Sequence, residues 1–282
     1  LECSNIEELS DKKISENEIL FLNWESINKK DNVFIRENEN DFNLTSIIRN
    51  TLEEGREIIL VIDESHHTAS ADNTKGLIEI MNPKITIEVS ATPHMNSDNI
   101  VKVKFEDVVK EGMIKEKISL NPDLKEDKLE GEGSDEFILK EALRKRKEIE
   151  NQFVKLGKDD INPLLLIQLP DSSSLDFTSK KDEIENLLAK KFNITTDNGK
   201  LAVYLSEDKR NLENISKNDN EVEVLLFKQA IALGWDCPRA YILVLFREWH
   251  SERFSIQTVG RIMRMPEIKH YQIEDLDKAY VY

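Results

Sequence analysis

One stretch decides the fold of this sequence of 282 residues, and it reads Ile58-Ile59-Leu60-Val61-Ile62-Asp63-Glu64-Ser65-His66. Its apolar residues, most of them β-branched, run directly into two carboxylates. An uninterrupted apolar run of this length predicts a strand buried on both faces of a parallel sheet. Polar residues that follow such a strand lie at its carboxyl end, where open α/β sheets bind ligands. Asp63 can hold Mg²⁺ there and Glu64 can polarise a water, although Asp and Ser also serve as plain helix caps.

The bulk composition excludes several classes of protein. The net charge of −16 excludes a generally basic nucleic-acid-binding module, but it leaves room for a local basic groove. The two cysteines, Cys3 and Cys237, are too few for a disulfide framework or a metal-binding cluster. No apolar run approaches the length of a membrane span, and residues 1–10 do not resemble a signal peptide. These features predict a cytoplasmic protein with no membrane partner.

The apolar residues on either side of this stretch alternate between helical and strand periodicity. A helix is predicted over 43–54, ended by Gly55, and a strand is predicted over 85–89. Further strands are predicted in the second half, at 163–169, 201–205, 223–227 and 241–246. This alternation indicates an α/β fold with parallel sheets flanked by helices.

An acidic stretch at 121–134 separates the two groups of strands. It contains Gly131 and Gly133 and shows neither helical nor strand periodicity, which is typical of a linker or an exposed loop. The chain is also long enough for two ordinary domains. We therefore predict a first domain over 1–120, a linker over 121–134 and a second domain over 135–282.

Four short polar motifs accompany the predicted strands. In chain order they are Asp63-Glu64-Ser65-His66, Ser90-Ala91-Thr92, Gly234-Trp235-Asp236 and Gln257-Thr258-Val259-Gly260-Arg261-Ile262-Met263-Arg264. Any one of them could be a plain turn or cap, and the last is the most specific. Arg261 and Arg264 are three positions apart, so on a helix they would share one face. Two guanidinium groups on one face suit a polyphosphate, although a solvated basic face would also carry them.

The order of these motifs resembles that of the superfamily 2 helicases and translocases, in which DExH, SAT, Gly-x-Asp and QxxGRxxR follow one another. More narrowly, residues 23–32 and 228–240 resemble the restriction (Res) subunit of type III restriction-modification enzymes. The resemblance extends from about Leu20 to Pro266, which is nearly the whole chain. It implies two tandem RecA-like domains, the first truncated at its N-terminus, with ATP and Mg²⁺ bound in the cleft between them.

The resemblance also implies a role for each motif residue. Glu64 would activate water, and Arg261 and Arg264 would stabilise charge on the transferring phosphoryl group. The Mg²⁺ ligands would be Asp63 and Glu64. The other residues that contact the nucleotide would be Gly234, Asp236 and Gln257, beside Asp63. The residues that couple nucleotide state to a DNA-binding surface would be His66, Ser90 and Thr92.

Two features depart from the family pattern. The family carries a phosphate-binding loop, G-x-x-x-x-G-K-[ST], before the DExH strand, and this sequence contains no such loop. It also shows no plausible nuclease core after Met265. We therefore expect an internal fragment of a longer restriction subunit, with little ATPase activity of its own. The partners of the longer enzyme would be double-stranded DNA and a modification (methyltransferase) subunit.

Three other interpretations stay open at this point. The chain could belong to another superfamily 2 ATPase that acts on DNA or RNA. It could be a degenerate RecA-like pair that serves only as a scaffold, although a scaffold needs neither the acidic pair nor the arginines. It could be a metal-dependent hydrolase built on His66 and His67. Adjacent histidines point in different directions, however, and no His-x-x-x-His spacing is present.

Overall fold

The chain folds into two compact units, Leu1–Val101 and Lys102–Tyr282. The structure is a computed structural model, and the residues that it describes are 1–9, 11–23, 43–63, 72–90, 96–122, 133–170, 177–228, 236–246 and 258–282. None of the helices in these ranges has the length and apolar character needed to span a membrane.

The described residues of the first unit form short parallel strand pairs and two helices. Its strands are β1 (Glu2–Ser4), β2 (Glu18–Leu20), β3 (Ile59–Asp63) and β4 (Ile85–Val89), and its helices are α1 (Leu44–Glu53) and α2 (Asp72–Met81). Strand β1 pairs in parallel with β2, and β3 pairs in parallel with β4.

Helix α1 forms where the sequence predicts a helix. Its apolar residues recur at helical spacing, and Leu44, Ile47 and Ile48 are buried. The side chain of Asn43 accepts a hydrogen bond of 2.7 Å from the backbone N–H of Ser46, which caps the first turn. Gly55 follows the helix with a φ of +75°, a conformation that glycine adopts at little cost.

Strand β3 is buried on one face rather than on both. Ile59 and Val61 are 60% and 59% exposed, whereas Ile62 is buried. Their partners in β4 on the same face, Ile85 and Ile87, are also exposed. The prediction of a strand covered on both sides is therefore wrong for the residues that the structure describes. A period-2 strand presents alternate residues to opposite faces, and here α1 and its neighbours cover only one of them.

The second unit is organised around one large sheet. Its helices are α3 (Phe105–Lys110), α4 (Ser134–Lys155) and α5 (Phe177–Phe192), and residues 258–262 are also helical. Its strands are β5 (Lys117–Leu120), β6 (Leu164–Gln168), β7 (Leu201–Tyr204), β8 (Lys209–Arg210), β9 (Val224–Phe227), β10 (Ala240–Leu245) and β11 (Lys278–Val281). The seven strands lie in the order β5-β11-β10-β6-β9-β7-β8, and all adjacent pairs except β7–β8 are parallel.

The core of this unit lies on both sides of the sheet. Alternate residues of β6 point to opposite faces, and Leu165 packs with Phe153 of α4 while Leu166 packs with Ile262. Phe153 also makes an edge-to-face contact with Tyr241, with 5.8 Å between ring centroids. Together with the parallel strands of the first unit, this sheet flanked by helices confirms the predicted α/β fold class.

Strand β5 belongs to the second unit. Lys117–Leu120 pairs in parallel with Lys278–Val281, so the chain enters the large sheet soon after Val101. The boundary predicted from composition, the acidic stretch 121–134, would instead place this segment in the first domain. Strand pairing between distant segments is a tertiary event that composition does not reveal.

Candidate functional site

The structure describes half of the residues that the sequence analysis selected for function. Asp63, Ser90, Asp236, Arg261 and Arg264 lie in its described ranges. The remaining predicted site residues lie outside the described residues, and they are Glu64, His66, Thr92, Gly234 and Gln257.

The first unit places two of these residues at one edge of a parallel strand pair. Asp63 is the last residue of β3 and is aligned with Val89, the last residue of β4. Ser90 follows directly. Because β3 and β4 are parallel, Asp63 and Ser90 lie at the same carboxyl end, the edge at which α/β sheets bind ligands. Asp63 is exposed, so its carboxylate is accessible to a ligand.

The second unit brings two predicted residues into direct contact. The Nη1 atom of Arg264 lies 2.5 Å from the Oδ1 atom of Asp236. The two side chains are 49% and 53% exposed, so the pair lies at the surface. In water such a pair contributes little to stability, on the order of 0.2–1 kcal/mol. The ion pair is therefore informative because of where it lies and not because of its strength. An exposed guanidinium that is paired with one carboxylate can exchange that carboxylate for a phosphate.

This pair lies at the amino-terminal edge of the large sheet. Asp236 comes just before β10 begins at Ala240, and Arg264 forms an isolated antiparallel bridge with Ile114, just before β5. Because Asp236 follows strand β9 in the sequence, a reader of the sequence would place it at the carboxyl edge instead. A crossover to the next parallel strand must return the chain to the opposite edge, and this return carries Asp236 there.

Arg264 lies beyond the helix that carries Arg261. Helical conformation extends over 258–262, and Arg261 is half-buried within it. The backbone N–H of Lys115 donates to the carbonyl of Met263 at 2.6 Å, and the N–H of Met265 donates to the carbonyl of Met113 at 3.3 Å. These hydrogen bonds flank the antiparallel β-bridge between Ile114 and Arg264. The prediction that both arginines share one helix face is therefore wrong in detail.

Lys115 is buried directly beneath the pair, and sequence reasoning missed it. The side chain has no exposure, and its Nζ atom donates to the carbonyls of Ile262 at 2.8 Å, Arg264 at 2.5 Å and Ala240 at 3.3 Å. Nζ also lies 3.8 Å from the ring centroid of Tyr241. Burial lowers the pKa of Lys115 well below its usual value. The local sequence offers no signal, because a single lysine among charged residues predicts a surface position.

A buried arginine anchors the loop that carries Asp236. Arg239 donates to the carbonyls of Asn162 at 2.7 Å, Val222 at 2.9 Å and Ile215 at 2.9 Å. Burial lowers its pKa to about 10, so it stays protonated at neutral pH. Burial also raises the pKa of the neighbouring Cys237 thiol to about 11, which makes Cys237 an inert core residue.

Within the described ranges, no group of three or more His, Cys, Asp or Glu side chains is arranged to hold a metal ion. The hydrolase interpretation rests on His66 and His67, which lie outside those ranges.

Solved structures are similar to most of the chain, and a family sequence model matches its first part. The chain is similar to a solved structure described as the ATP-dependent Type ISP restriction-modification enzyme LlaBIII bound to DNA, at 16% identity and a TM-score of 0.42. This match covers 84% of the present chain and 19% of that one. No curated protein matches.

Two yeast proteins are also similar in structure. The S. cerevisiae protein Dbp5 bound to RNA and ADP BeF3 matches at 10% identity and a TM-score of 0.47, over 99% of the present chain and 62% of Dbp5. The yeast DEAD-box splicing factor Prp28 matches at 13% identity and a TM-score of 0.33, over 84% and 48% of the two chains. The present chain thus spans less than two thirds of each of these proteins.

A family match is the more specific finding. Residues 2–95, which include Asp63 and Ser90, match the sequence model of the family described as "Type III restriction enzyme, res subunit". Over residues 2–95, this match confirms the resemblance drawn from the motifs of the sequence.

Proposed function

We propose that this chain is the motor portion of a type III restriction subunit, a superfamily 2 ATPase that couples ATP hydrolysis to movement along double-stranded DNA before cleavage. The observation that carries the proposal is the family match over residues 2–95, which includes the strand that ends in Asp63. The exposed Arg264 in the second unit supports it, because an exposed guanidinium can bind a phosphate.

The first unit supplies the residues that act on the γ-phosphate and on water. Asp63 presents an exposed carboxylate at the end of β3, and an oxygen ligand in this place fits Mg²⁺. When bound with ATP, Mg²⁺ neutralises charge on the phosphates. Glu64, the next residue, would contribute to the same ion and accept the proton of the attacking water. Residues that relay the nucleotide state to DNA are His66, Ser90 and Thr92.

The second unit supplies positive charge for the transition state. Arg264 is the arginine finger, and Arg261, three residues earlier in the sequence, assists it. In the absence of nucleotide, Asp236 neutralises Arg264 through their ion pair, and an incoming phosphate takes the place of its carboxylate. Gly234 and Gln257 complete the contacts with the nucleotide.

The sequence of this chain contains no G-x-x-x-x-G-K-[ST] loop. Such a loop cradles the β- and γ-phosphates through backbone N–H groups and a lysine. We propose that the 282 residues by themselves hydrolyse little ATP and that the active enzyme is a longer protein that provides this loop. A modification subunit would choose the DNA sequence, and a nuclease centre outside the motor would cut it.

The test of this function is the Glu64→Gln variant of the longer enzyme. The substitution keeps the shape of the side chain but removes the base, so ATP should still bind. Turnover should fall by roughly two to four orders of magnitude, the usual cost of losing a general base. ATP hydrolysis and DNA cleavage are measured side by side on the same preparations, and both should be lost together.

A Glu64→Gln enzyme that hydrolyses ATP near the parental rate would exclude this residue as the base. Stimulation of the parental enzyme by RNA and not by duplex DNA would instead assign the chain to another branch of the superfamily 2 motors.

A further inference from the structure

The two segments that carry the exposed ion pair of Arg264 and Asp236 are both contacted by one buried side chain, that of Lys115. Arg264 and Asp236 lie on two segments that are distant in the sequence. The Nζ atom of Lys115 contacts both segments. It donates to the carbonyl of Arg264 itself at 2.5 Å, and to the carbonyl of Ala240, where β10 begins after Asp236, at 3.3 Å.

A third acceptor completes the set. The carbonyl of Ile262, at the end of the helical residues 258–262, lies 2.8 Å from the same Nζ atom. Carbonyls at the end of a helix lack partners within the helix and favour a positively charged donor. In its protonated form a lysine side chain can donate three hydrogen bonds, and three carbonyls surround this one. No other natural side chain combines this reach with three donors at a single atom.

The backbone around Lys115 strengthens the same contact. Its N–H donates to the carbonyl of Met263 at 2.6 Å, and Ile114 forms a β-bridge with Arg264. The segment is fixed in turn by Gly112, at which an added Cβ would lie 2.7 Å from the Cα atom of Lys269. Residues 112–115, which we call the platform under Arg264, are thus held by backbone hydrogen bonds to residues 263–265 and by close packing against Lys269.

We propose that Lys115 is a positioning residue, which locks together the two segments that carry Asp236 and Arg264 and thereby sets the location of the Arg264 guanidinium. The effect of this residue on catalysis rests on the proposed function, whereas its effect on the ion pair does not. Misplacement of a catalytic group by about 1 Å can cost on the order of 10²-fold in rate. A buried amine that never touches the nucleotide can therefore control turnover.

The chain offers a matched control in Lys145. This side chain is also buried, and its Nζ atom lies 2.8 Å from Glu148 and 5.1 Å from the ring centroid of Tyr280. Among its described contacts, none is to the segments that carry Asp236 or Arg264. Lys115→Met and Lys145→Met remove the same amine from a buried place beside a tyrosine ring, but only the first should disturb the ion pair.

The test uses NMR of the 282-residue chain with labelled arginine. The Nε–H signal of Arg264 is assigned by its loss in Arg264→Lys, and the signal of the unpaired guanidinium is defined by Asp236→Asn. We expect Lys115→Met to move the Arg264 signal toward the position found in Asp236→Asn, while Lys145→Met leaves it in place. If Lys115→Met fails to fold, Lys115→Leu, which also removes every N–H donor of the side chain, takes its place.

A second arm measures ATP turnover in the longer enzyme. Lys115→Met should lower kcat by about 10²-fold with KM little changed, because the arginine acts in the transition state, and Lys145→Met should keep the parental values. An unchanged Arg264 signal in Lys115→Met, or in Lys115→Leu where that replaces it, would overturn the inference. If the signal moves but Arg264→Ala still hydrolyses ATP normally, the positional role stands and the proposed function of Arg264 fails.

Discussion

Strands β3 and β6 have the same sequence character and different surroundings. Both are uninterrupted runs of aliphatic residues that end in a polar residue, Asp63 in β3 and Gln168 in β6. Every residue of β6 is buried, whereas Ile59 and Val61 of β3 are more than half exposed. The difference shows that an apolar run specifies a strand, while the neighbours of the strand decide how much of it is buried.

The neighbours of the two strands explain the contrast. Strand β6 lies between β9 and β10 in the middle of the large sheet, with hydrophobic clusters on both of its faces. Strand β3 has β4 as its partner among the described residues, and its covered face packs toward α1 and α2. The first unit therefore carries an apolar face, formed by Ile59, Val61, Ile85, Ile87 and Val89, that the described part of the unit does not cover.

The largest effect on stability is expected from matched isoleucine substitutions in these two strands. Ile167→Ala in β6 removes a fully buried side chain and should lower the free energy of unfolding by about 2–5 kcal/mol. Ile59→Ala in β3 removes a side chain that is 60% exposed and should cost less than about 1 kcal/mol. Urea unfolding followed by circular dichroism measures both values. Equal losses would show that the exposed face of β3 is covered in solution.

A smaller difference in stability is expected when two glycines of the second unit are each replaced by alanine. Gly112 and Gly157 have nearly the same φ, +69° and +68°. An added Cβ at Gly112 would meet the backbone of Lys269 at 2.7 Å, whereas at Gly157 it would meet nothing within 4 Å. Gly157→Ala should cost about 1–2 kcal/mol for the left-handed conformation alone. Gly112→Ala should cost a further 1–3 kcal/mol, roughly, for the steric conflict.

Thermal unfolding of the two glycine variants under one set of conditions supplies this comparison. Equal stability of the two variants would show that the backbone around Lys269 shifts at little cost and does not fix the position of residues 112–115.

A further effect concerns the pH dependence of stability that Lys115 confers. Burial lowers its pKa in the folded state, so between that value and its unfolded pKa near 10.5 the unfolded chain binds more protons. The free energy of unfolding of the parental protein, relative to Lys115→Met, should therefore rise as pH is raised through that range toward 10.5. The other groups that face Lys115 are Cys237, Asp277 and the ring of Tyr241, and they are common to both proteins.

Urea unfolding of the two proteins at several pH values measures this difference. A difference that falls as pH rises would show that the carbonyl acceptors raise the pKa of Lys115 more than burial lowers it.

Local sequence signals predicted part of this molecule well. The helix that begins after Asn43 was predictable, because its cap, its apolar spacing and Gly55 agree. The α/β class followed from the alternation of strand and helix patterns. The motifs also identified Asp236 and Arg264 individually, because Gly-x-Asp and QxxGRxxR are local patterns.

What the sequence did not reveal depends on contacts between distant segments. The pairing of β5 with β11 moves residues 117–120 into the second unit. The bridge between Ile114 and Arg264 ends the helix before Arg264. Lys115 is read as a surface lysine until three distant carbonyls are found around it. Each of these features is a property of tertiary packing, which outweighs local propensity.

The most direct measurement of the central claim is the single-turnover rate of ATP hydrolysis by the Arg264→Ala variant of the longer enzyme, in the presence of DNA. An arginine finger contributes on the order of 10³ to 10⁵ in rate, so the variant should lose that much while it still binds ATP. The control is Arg144→Ala, which removes an exposed arginine paired with Glu141 at 2.8 Å on α4 and should leave the rate unchanged. An Arg264→Ala enzyme that hydrolyses ATP at the parental rate would contradict the assignment of this exposed pair to an ATP-driven motor.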